Sequence, residues 1–576
     1  MRYFCNQVNT NKKHIQHLAA ICQAKGVAYA VISPGSRCAP LIIAFNRMEG
    51  INCLSIIDER SAAFVALGIA QQTKQVVALI CTSGSAMLNY APALAEAYYQ
   101  KIPLLVLSAD RPNEWIDQGE NQSINQNEVY RNYIKKSYQL PVQVVSDKDL
   151  WYCDRLVAEA LNTCLYPDFG PVHVNIPLRE PLYELEEFTT RTLKNIDFPK
   201  PVYSLDGAAI KELAREWRNC QKIMIVVGGF KEKDTGLQQV LQRLSEHDNV
   251  VVLKESISNV YGEYFVDQID ANIEVIQALK SLKYVPDLVI TIGAGVVSKK
   301  LKFWLRKQTG VNHWHITRSF EHWDIFQGLS KVIQHDAESF FEFMLSFDQR
   351  QQSAYREDWR SLNKQTRNLL AIFLSRTPYT DFKVYDYLIN QLPEESLLQL
   401  GNSTPVRYAN LIHIPEYKGV AINSNRGVSG IDGVLSTAVG ASIAKRKKQC
   451  ICISGDVGAL YDSNALMNKY LQSNFKLIIV NNQGGNIFKI IPGPDKLEEL
   501  EEFFTTKHNY HFEHLAKMYG CNYYRSTNEE ELKSTFKAFI TDDEESAILE
   551  IITPGEESAA ILREYLAFLK ENIKLN

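Results

Sequence analysis

The sequence lacks an apolar run long enough to cross a membrane, because no stretch of about 18 apolar residues occurs among its 576 residues. It also lacks an excess of basic charge, since 62 Lys and Arg stand against 66 Asp and Glu and the formal net charge is −4. Residues 1–7 contain no apolar segment of the kind that a signal peptide requires. These absences argue against a membrane span, a secreted precursor, and nucleic acid or an anionic membrane as partner. We therefore expect a cytoplasmic protein.

The eleven cysteines are scattered, and they lack the spacing that zinc sites and disulfide frameworks need. The one close pair, Cys450 and Cys452, has a single intervening residue within a strand-like run, which suits neither zinc nor redox chemistry. Many others, such as Cys81, lie in apolar stretches that predict buried, inert thiols. The three histidines of segment 508–514 also fit no zinc spacing and predict a structural loop and helix. The composition is therefore typical of a reduced, intracellular enzyme.

Strand-like and helix-like segments alternate along the chain, which is too long for one core. The predicted strands are 27–32, 55–57, 76–81, 104–108, 172–176, 223–227, 250–253, 288–292, 312–316, 419–423, 449–454, 476–480 and 546–551, and the clearest predicted helices are 61–71 and 86–100. We predict an α/β protein with three doubly wound domains and mainly parallel sheets, at residues 1–185, 206–350 and 379–576. A charged, proline-interrupted linker (183–205) and a polar, helix-prone stretch (351–378) separate them.

The strongest local signal is an oxygen-rich pair at two predicted strand ends. Asp456 follows the strand 449–454, and Asn482 comes 26 residues later, after the strand 476–480. The carboxylate, the carboxamide and a loop carbonyl at Gly484 are the hard oxygen ligands that Mg²⁺ prefers. The glycines that follow Asn482 would let the backbone approach a phosphate and expose N–H donors. Taken singly, each half is more typical of a turn, and the case depends on their order and spacing.

Gly455-Asp456, followed by 24 intervening residues and then Asn481-Asn482, resembles the diphosphate-binding signature of thiamine-diphosphate enzymes. That signature usually begins Gly-Asp-Gly, and this chain has Val457 at the third position. The resemblance implies thiamine diphosphate with Mg²⁺, or Mn²⁺ in its place, and the three-domain architecture of those enzymes. It also implies that Glu59 activates the cofactor through its aminopyrimidine ring, whereas position alone favours an acid that stabilises a helix N-terminus. Ile431 matches the apolar residue that bends the cofactor. The remaining cofactor-binding residues implied are Ser403, Gly455, Asp456, Asn482, Gly484, Gly485 and Ile487.

Further motifs resemble one family, the menaquinone-pathway synthases that form 2-succinyl-5-enolpyruvyl-6-hydroxy-3-cyclohexene-1-carboxylate. They are Ser33-Pro34-Gly35-Ser36-Arg37, Asp58-Glu59-Arg60, Ser108-Ala109-Asp110-Arg111-Pro112, Asn121-Gln122-Ser123-Ile124, Gly401-Asn402-Ser403 with Arg407, Ser424-Asn425-Arg426-Gly427, and Asn482-Gln483-Gly484-Gly485-Asn486-Ile487-Phe488. They span nearly the whole chain in the family's order. The implied reaction decarboxylates 2-oxoglutarate and joins the succinyl carbanion to isochorismate by conjugate addition.

Both implied substrates are dicarboxylates, so the resemblance implies a local cluster of cations in a protein that is acidic overall. Arginine suits this role because its planar guanidinium group pairs with a carboxylate bidentately. Arg407 and Arg426 would hold the 2-oxoglutarate side, while Ser36, Arg37, Arg111, Gln122, Lys299 and Phe488 would complete the substrate site. Where the family often has Lys-Arg, this chain has Lys299-Lys300. A homodimer or homotetramer with its active site at the subunit interface is implied as well. A solvated salt bridge is the alternative for any single arginine.

Three other functions remain as alternatives. The first is another thiamine-diphosphate carboligase or 2-oxoacid decarboxylase, such as an acetolactate-synthase relative, which the cationic loops disfavour. The second is a nucleotide-binding oxidoreductase, although no Gly-x-Gly-x-x-Gly follows a strand. The third is a cofactor-free relative, which the retained Glu59, Asp456 and Asn482 disfavour.

Overall fold

The computed structural model describes residues 8–187, 193–199, 202–230, 234–347, 352–415 and 418–573. Its elements are grouped below by the three sheets to which they belong. Within the described residues, no helix combines the length and the apolar character that crossing a bilayer requires.

The first sheet has six strands in the order β3-β2-β4-β5-β7-β6, and all of its neighbouring pairs are parallel. The strands of this part are β1 (Val8–Thr10), β2 (Tyr29–Ile32), β3 (Asn52–Ser55), β4 (Val77–Cys81), β5 (Leu104–Asp110), β6 (Ser137–Gln139), β7 (Val172–Pro177) and β8 (Leu185–Glu187). Its helices are α1 (Lys13–Ala24), α2 (Ala39–Asn46), α3 (Glu59–Thr73), α4 (Ser85–Leu88), α5 (Ala91–Gln100) and α6 (Asp147–Leu165). β1 and β8 form a separate antiparallel pair.

The second sheet has five parallel strands in the order β10-β9-β11-β12-β13. Its strands are β9 (Ile223–Val227), β10 (Val250–Lys254), β11 (Leu288–Ile292), β12 (Asn312–Thr317) and β13 (Leu329–Gln334). The helices of this part are α7 (Gly207–Asn219), α8 (Thr235–Ser245), α9 (Ile269–Leu279), α10 (Lys299–Arg306), α11 (Ala337–Phe347) and α12 (Tyr355–Arg376).

The third sheet has six strands in the order β15-β14-β16-β17-β19-β18, with β14–β15, β17–β19 and β18–β19 parallel. Its strands are β14 (Leu397–Leu400), β15 (Ala421–Ser424), β16 (Cys450–Gly455), β17 (Phe475–Asn481), β18 (Asn522–Ser526) and β19 (Ala547–Ile552). The helices are α13 (Asp381–Asn390), α14 (Thr404–Ala409), α15 (Val434–Ala444), α16 (Asp456–Tyr461), α17 (Ile487–Ile490), α18 (Glu513–Tyr519), α19 (Glu529–Thr541) and α20 (Gly555–Asn572).

Strand burial explains this architecture. The central strands β4, β9, β11 and β17 are buried along their whole length, as parallel strands covered on both faces must be. The predicted α/β class with parallel, doubly wound sheets is confirmed. The domain boundaries at 1–185, 206–350 and 379–576 stay a prediction, and β8 extends past the first of them.

The chain divides into two compact units. The first unit contains Met1–Lys200, Asn425–Cys450 and Leu460–Phe475, and the second contains Pro201–Ser424, Ile451–Ala459 and Lys476–Asn576. In the first unit, α1, α2 and α6 bury their apolar faces together with the strands of the first sheet. In the second unit, one apolar cluster joins residues of the second and third sheets with α12 and α20.

Candidate active site

Glu59 is the first residue of α3, directly after the N-cap residue Asp58. Asp58 Oδ1 accepts a hydrogen bond from the Ser61 N–H at 3.1 Å, and its Oδ2 accepts one from Asn464 Nδ2 at 2.7 Å. This cap satisfies a backbone donor that the first helical turn would otherwise leave without a partner. The Glu59 carboxylate is half-buried and accepts a hydrogen bond from Asn89 Nδ2 at 3.3 Å. The cap thus fixes the backbone of Glu59, and one such contact leaves the carboxylate with further acceptor capacity.

Residues 426–433, which we call the wedge loop, lead into α15 and carry the predicted cofactor wedge Ile431. The side chain of Ile431 is 39% exposed, and its chain neighbours Gly430 and Asp432 are half-buried. At the base of the loop, Asn425 Nδ2 donates to the Gly433 carbonyl at 3.3 Å and to Thr437 Oγ1 at 3.0 Å. Arg426, at the start of the loop, is half-buried. Asn425 therefore joins the two ends of the wedge loop, and the side chain of Ile431 remains accessible to solvent.

The helices α3 and α15 cross in the first unit at two glycines. A Cβ on Gly68 would lie 2.1 Å from the Thr437 carbonyl oxygen, and a Cβ on Gly440 would lie 2.1 Å from the Val65 carbonyl oxygen. Since no side chain fits at such distances, only glycine permits this approach of the two backbones. The helix that begins at the predicted activating carboxylate is thereby packed directly against the helix that follows the wedge loop.

Two arginines lie close together in the first unit. Arg37 follows β2 and donates to the Leu178 carbonyl at 2.9 Å, and Arg111 follows β5 and donates to the Asn121 carbonyl at 2.8 Å. Burial, and then the neighbouring charge of Arg111, lower the pKa of Arg37. The buried Nε atoms of both arginines find no hydrogen-bond partner within the described part of the chain. Glu180 pairs with Arg37 at 3.2 Å, and Glu120 lies 3.9 Å from Arg111 Nε, while the unsatisfied donors leave capacity for a further anion.

The predicted partners of these arginines lie on neighbouring loops. Ser36 is exposed after β2, and Gln122 is exposed with a positive φ of 52°. A Cβ on Gly84 would come within 3.1 Å of the Gln122 backbone, so the two loops are in close contact. Gln126 joins them, because its Oε1 accepts the Gly84 N–H at 2.9 Å while its Nε2 donates to Asn175 at 2.8 Å.

The predicted metal ligands come together in the second unit. Asp456 begins α16 directly after β16 and is 2% exposed. Its Oδ2 accepts the Gly484 N–H at 2.9 Å, which joins the two strand-end loops. The buried Oδ1 of Asn482 finds no hydrogen-bond partner in the described ranges. A buried, unsatisfied carboxamide oxygen near a carboxylate fits a divalent cation, which prefers oxygen ligands. His508 Nε2 lies 3.3 Å from the same oxygen, Asp456 Oδ2.

Asp381 orients the Asn482 carboxamide. Asn482 Nδ2 donates to Asp381 Oδ2 at 2.8 Å, and Asp381 Oδ1 accepts from Thr553 Oγ1 at 2.6 Å. The Asp381 backbone N–H donates to Ser558 Oγ at 2.9 Å, so the backbone of Asp381 is held as well as its carboxylate. Burial, and to a lesser degree the charge of Asp456, raise the pKa of Asp381. With Nδ2 committed to Asp381, the oxygen of Asn482 is the atom left for a ligand.

The two glycines of the diphosphate motif differ from expectation in one respect. Gly484 adopts φ 151°, and a Cβ there would lie 2.7 Å from the Thr505 carbonyl oxygen. Its N–H donates to Asp456, and the Gly485 N–H donates to Thr505 O at 2.7 Å. The prediction that these glycines expose their N–H donors is therefore wrong for this structure, because protein acceptors take both groups, while their role in binding the cofactor stays a prediction. Ile487 and Phe488, which begin α17, are half-buried.

The predicted donor-side cations also lie in the second unit. Arg407 of α14 donates to the carbonyl of Ser403, whose φ is 71°. Lys299 is exposed at the start of α10, whereas the neighbouring Lys300 forms an ion pair with Glu274. Asp270 lies near both Lys300 and Arg407. Burial raises the pKa of Asp270, and the positive charges of Lys300 and Arg407 lower it. Lys300 thus has a structural partner, while Lys299 extends towards solvent.

Comparison with known proteins shows to which family the chain belongs. Residues 12–129 match the family of thiamine pyrophosphate enzymes in their N-terminal TPP binding domain, and residues 405–551 match the C-terminal TPP binding domain. The chain is 38% identical over 570 residues to the 2-succinyl-5-enolpyruvyl-6-hydroxy-3-cyclohexene-1-carboxylate synthase of Flavobacterium johnsoniae, covering 96% of this chain and 98% of the relative. Identity to the synthase of Flavobacterium psychrophilum is 40% over 553 residues (96% and 98%), and to that of Porphyromonas gingivalis 34% over 568 residues (97% and 98%). The chain belongs to this synthase family.

Family membership confirms several predictions for this synthase. It is a thiamine-diphosphate-dependent transferase that forms a carbon–carbon bond in menaquinone biosynthesis, and the acetolactate-synthase-like alternative is not favoured. The assignment of individual site residues stays a prediction. Glu59, Ser36, Arg37, Arg111, Gln122, Arg426 and Ile431 belong to the first unit, and Lys299, Ser403, Arg407, Gly455, Asp456, Asn482, Gly484, Gly485, Ile487 and Phe488 to the second.

Sequence reasoning missed the residues of the synthase that orient these groups. Asp381 is 101 positions from Asn482, and Gln126 is 42 positions from Gly84, so neither forms part of a local motif. Position at a helix start could have indicated Asp381, which is the first residue of α13. That signal is weak by itself, because acids at helix N-termini mostly stabilise the helix dipole.

Proposed function

We propose that this synthase decarboxylates 2-oxoglutarate and adds the resulting succinyl unit to isochorismate, with arginines holding the carboxylates of both substrates. The observation that carries this proposal is the buried pair of Arg37 and Arg111, whose Nε atoms lack hydrogen-bond partners among the described residues. Arg37 is paired with Glu180 at 3.2 Å, and Arg111 Nε lies 3.9 Å from Glu120, but both glutamates are exposed. The guanidinium donors that remain free can bind a carboxylate of the dicarboxylate acceptor. Ser36, Gln122 and Lys299 complete the isochorismate site. Arg407, Arg426 and Phe488 contact the 2-oxoglutarate side.

Asp456, the Asn482 Oδ1 atom and the Gly484 carbonyl would hold Mg²⁺, or Mn²⁺ in its place. The unsatisfied, buried Asn482 oxygen supports this assignment. Ser403, Gly455, Gly485 and Ile487 would contact the cofactor, and Ile431 would support its bent shape. The backbone of Gly455 is open on its Cβ side, where an added Cβ would meet nothing within 4 Å, and this supports the close approach of a ligand there. Bound thiamine diphosphate supplies the electron sink that 2-oxoacid decarboxylation needs.

Glu59 would exchange a proton with a nitrogen of the aminopyrimidine ring. The N-cap at Asp58 holds the backbone of Glu59, and its carboxylate retains acceptor capacity beyond Asn89. We propose that the enzyme works in the cytoplasm as a homodimer or homotetramer with the active site at the subunit interface. Exposed apolar side chains in the first unit, among them Ile57 and Val428, support an interface there.

The deciding experiment follows CO₂ release from 2-oxoglutarate with Mg²⁺ and thiamine diphosphate, with isochorismate present and absent, and with pyruvate as the competing donor. We expect turnover with 2-oxoglutarate that rises sharply when isochorismate is added, together with formation of the named product. Equal or better use of pyruvate would contradict the proposal, because a small monocarboxylate has no second carboxylate for an arginine to hold.

Arg111→Met tests the acceptor site. The substitution keeps the length of the side chain and removes its charge, so we expect the KM for isochorismate to rise about 10- to 100-fold, the value of a hydrogen bond to a charged group. The KM for 2-oxoglutarate should stay the same, because this arginine is not assigned to the donor. Arg179→Ala is the matched control, since Arg179 forms an exposed ion pair with Glu114. A similar change in both variants would remove Arg111 from the site.

Arg407→Ala tests the donor site in the same assay. We expect the KM for 2-oxoglutarate to rise about 10- to 100-fold through loss of a charge-assisted carboxylate contact, while isochorismate binding, measured by its KM, changes little. Arg360→Ala, which breaks an exposed ion pair with Glu263, serves as control. An unchanged KM and kcat for 2-oxoglutarate would show that Arg407 does not bind the donor.

A further inference from the structure

Glu96, on α5, is a buried carboxylate that binds the backbone of the wedge loop. The residue is 3% exposed. Its Oε1 accepts the Gly427 N–H at 2.6 Å, and its Oε2 accepts the Val428 N–H at 2.7 Å and the Ser429 N–H at 3.3 Å. A buried carboxylate is stable only when strong donors compensate it, and hydrogen bonds to an ionised acceptor are about twice as strong as neutral ones. Three consecutive amides supply that compensation here.

The backbone of the wedge loop needs this support. A Cβ on Gly427 would lie 2.6 Å from the Glu96 carbonyl oxygen, so the loop lies directly against α5. Ser429 has a φ of 70°, a left-handed conformation that residues with a Cβ adopt only at a free-energy cost. Such a conformation persists where surrounding contacts over-determine it, and the N–H of Ser429 is one of the three that Glu96 accepts.

The same carboxylate connects the wedge loop to the helix of the predicted activating acid. Gln100 Nε2 donates to Glu96 Oε1 at 2.5 Å, and Gln71 Nε2 donates to Gln100 Oε1 at 3.2 Å. Gln71 lies on α3, near the opposite end from Glu59. A continuous set of hydrogen bonds therefore runs from α3 through α5 to the wedge loop. The Asn425 contacts hold the base of the loop, and Glu96 holds its first half.

We propose that Glu96 is a positioning residue: its carboxylate holds the backbone of residues 427–429 and thereby sets the places of Arg426 and Ile431 for donor and cofactor. The inference rests on the function proposed above for those two side chains. Glu96 is assigned no contact with substrate or cofactor and acts only through the wedge loop.

The test is Glu96→Gln, which keeps the shape of the side chain and replaces one acceptor oxygen with an NH₂ group facing the loop amides. In ligand-free protein, we expect hydrogen exchange of the 427–429 amides to accelerate about tenfold or more, since each lost bond is to a charged acceptor. In the presence of Mg²⁺, the Kd for thiamine diphosphate should rise about tenfold or more, and kcat should fall. If the glutamine variant does not fold, the same two measurements are made on Glu96→Asp. This variant keeps the carboxylate but places it one methylene group further from the loop.

Gln100→Met is the matched control, because it removes the two side-chain hydrogen bonds of Gln100, to Glu96 and from Gln71, while the Glu96 carboxylate keeps its three amide donors. We expect its loop exchange and cofactor Kd to stay within about threefold of the parent protein. Unchanged amide exchange in the Glu96 variants, or an equal effect of Gln100→Met, would overturn the inference. Failure of the parent protein to bind thiamine diphosphate would instead overturn the proposed function, and the exchange measurement, which uses no ligand, would still decide the role of Glu96 in the loop.

Discussion

Replacing Glu59 with glutamine is expected to lower kcat by about 10³-fold or more, because glutamine retains the shape of the side chain but cannot take up or release a proton. General acid–base groups contribute about 10²- to 10⁴-fold to a reaction, and activation of the cofactor precedes every later step. The measurement is steady-state kcat with both substrates saturating. We expect binding of thiamine diphosphate and Mg²⁺, measured by calorimetry, to change much less than kcat.

The Glu59→Gln protein should remain folded, which makes its kinetics interpretable. The helix cap is provided by Asp58 and not by Glu59, and the Glu59 side chain is only half-buried. Its Tm should therefore stay close to that of the parent, since substitutions that leave helix caps and the packed core intact mostly cost within about 0.5 kcal/mol. Glu49→Gln, at an exposed position, is the control for removal of a negative charge. Near-normal turnover in the Glu59 variant would refute the assignment of this residue.

The buried centres of the sheets were predictable because they read as continuous apolar runs. The predicted strands 223–227 and 288–292 coincide with β9 and β11, and their residues are all buried. A parallel strand covered on both faces needs apolar side chains on both of its faces, so its sequence carries the signal directly. The polar, helix-prone stretch at 351–378 likewise forms α12.

The predicted bounds of strands and helices were wrong where tertiary contacts set the position of an element. The predicted strand 55–57 lies at Asn52–Ser55 instead, because the pairing with β2 sets its register. The single helix predicted for 86–100 is interrupted after Leu88, and α5 then begins with Pro92 in its first turn, a position that proline favours. The short strands β1 and β8 were not predicted, since each is three residues long and their pairing joins distant parts of the chain.

The candidate site shows the same division between local and long-range information. Asp456 and Asn482 form a motif with fixed spacing, and the structure brings their two loops together through the Gly484 N–H. Glu96 contacts a loop 331 residues away, and no spacing within the sequence could have indicated that. Here the predicted metal ligands lie within one local motif, whereas the residue that positions the wedge loop is distant from it in sequence.

Two adjacent asparagines, Asn481 and Asn482, show that residue type alone does not reveal whether a side chain is structural or free to bind a ligand. Asn481, at the end of β17, is fully buried and satisfied: its Nδ2 donates to Glu550 Oε1 at 2.7 Å and to Tyr510 O at 3.0 Å, and its Oδ1 accepts the Gln483 N–H at 3.1 Å. In Asn482 only the amide nitrogen has such a partner, while the oxygen finds none in the part of the chain that the structure describes. The same residue type therefore has a structural role at one position and a predicted metal-binding role at the next.

Asn482→Leu is accordingly expected to raise the Kd for Mn²⁺, measured by electron paramagnetic resonance with thiamine diphosphate present, by about 100-fold, because even outer-shell partners of a metal are worth about 10- to 100-fold. Asn481→Leu is the matched control with the same substitution one residue away. Each change removes a donor from a buried carboxylate, Asp381 or Glu550, so both should lower the free energy of unfolding by about 1–3 kcal/mol. Only the first removes an oxygen that the protein leaves unpaired. Equal Mn²⁺ affinities in the two variants would show that this oxygen is not a ligand, since damage to the neighbouring carboxylate is common to both.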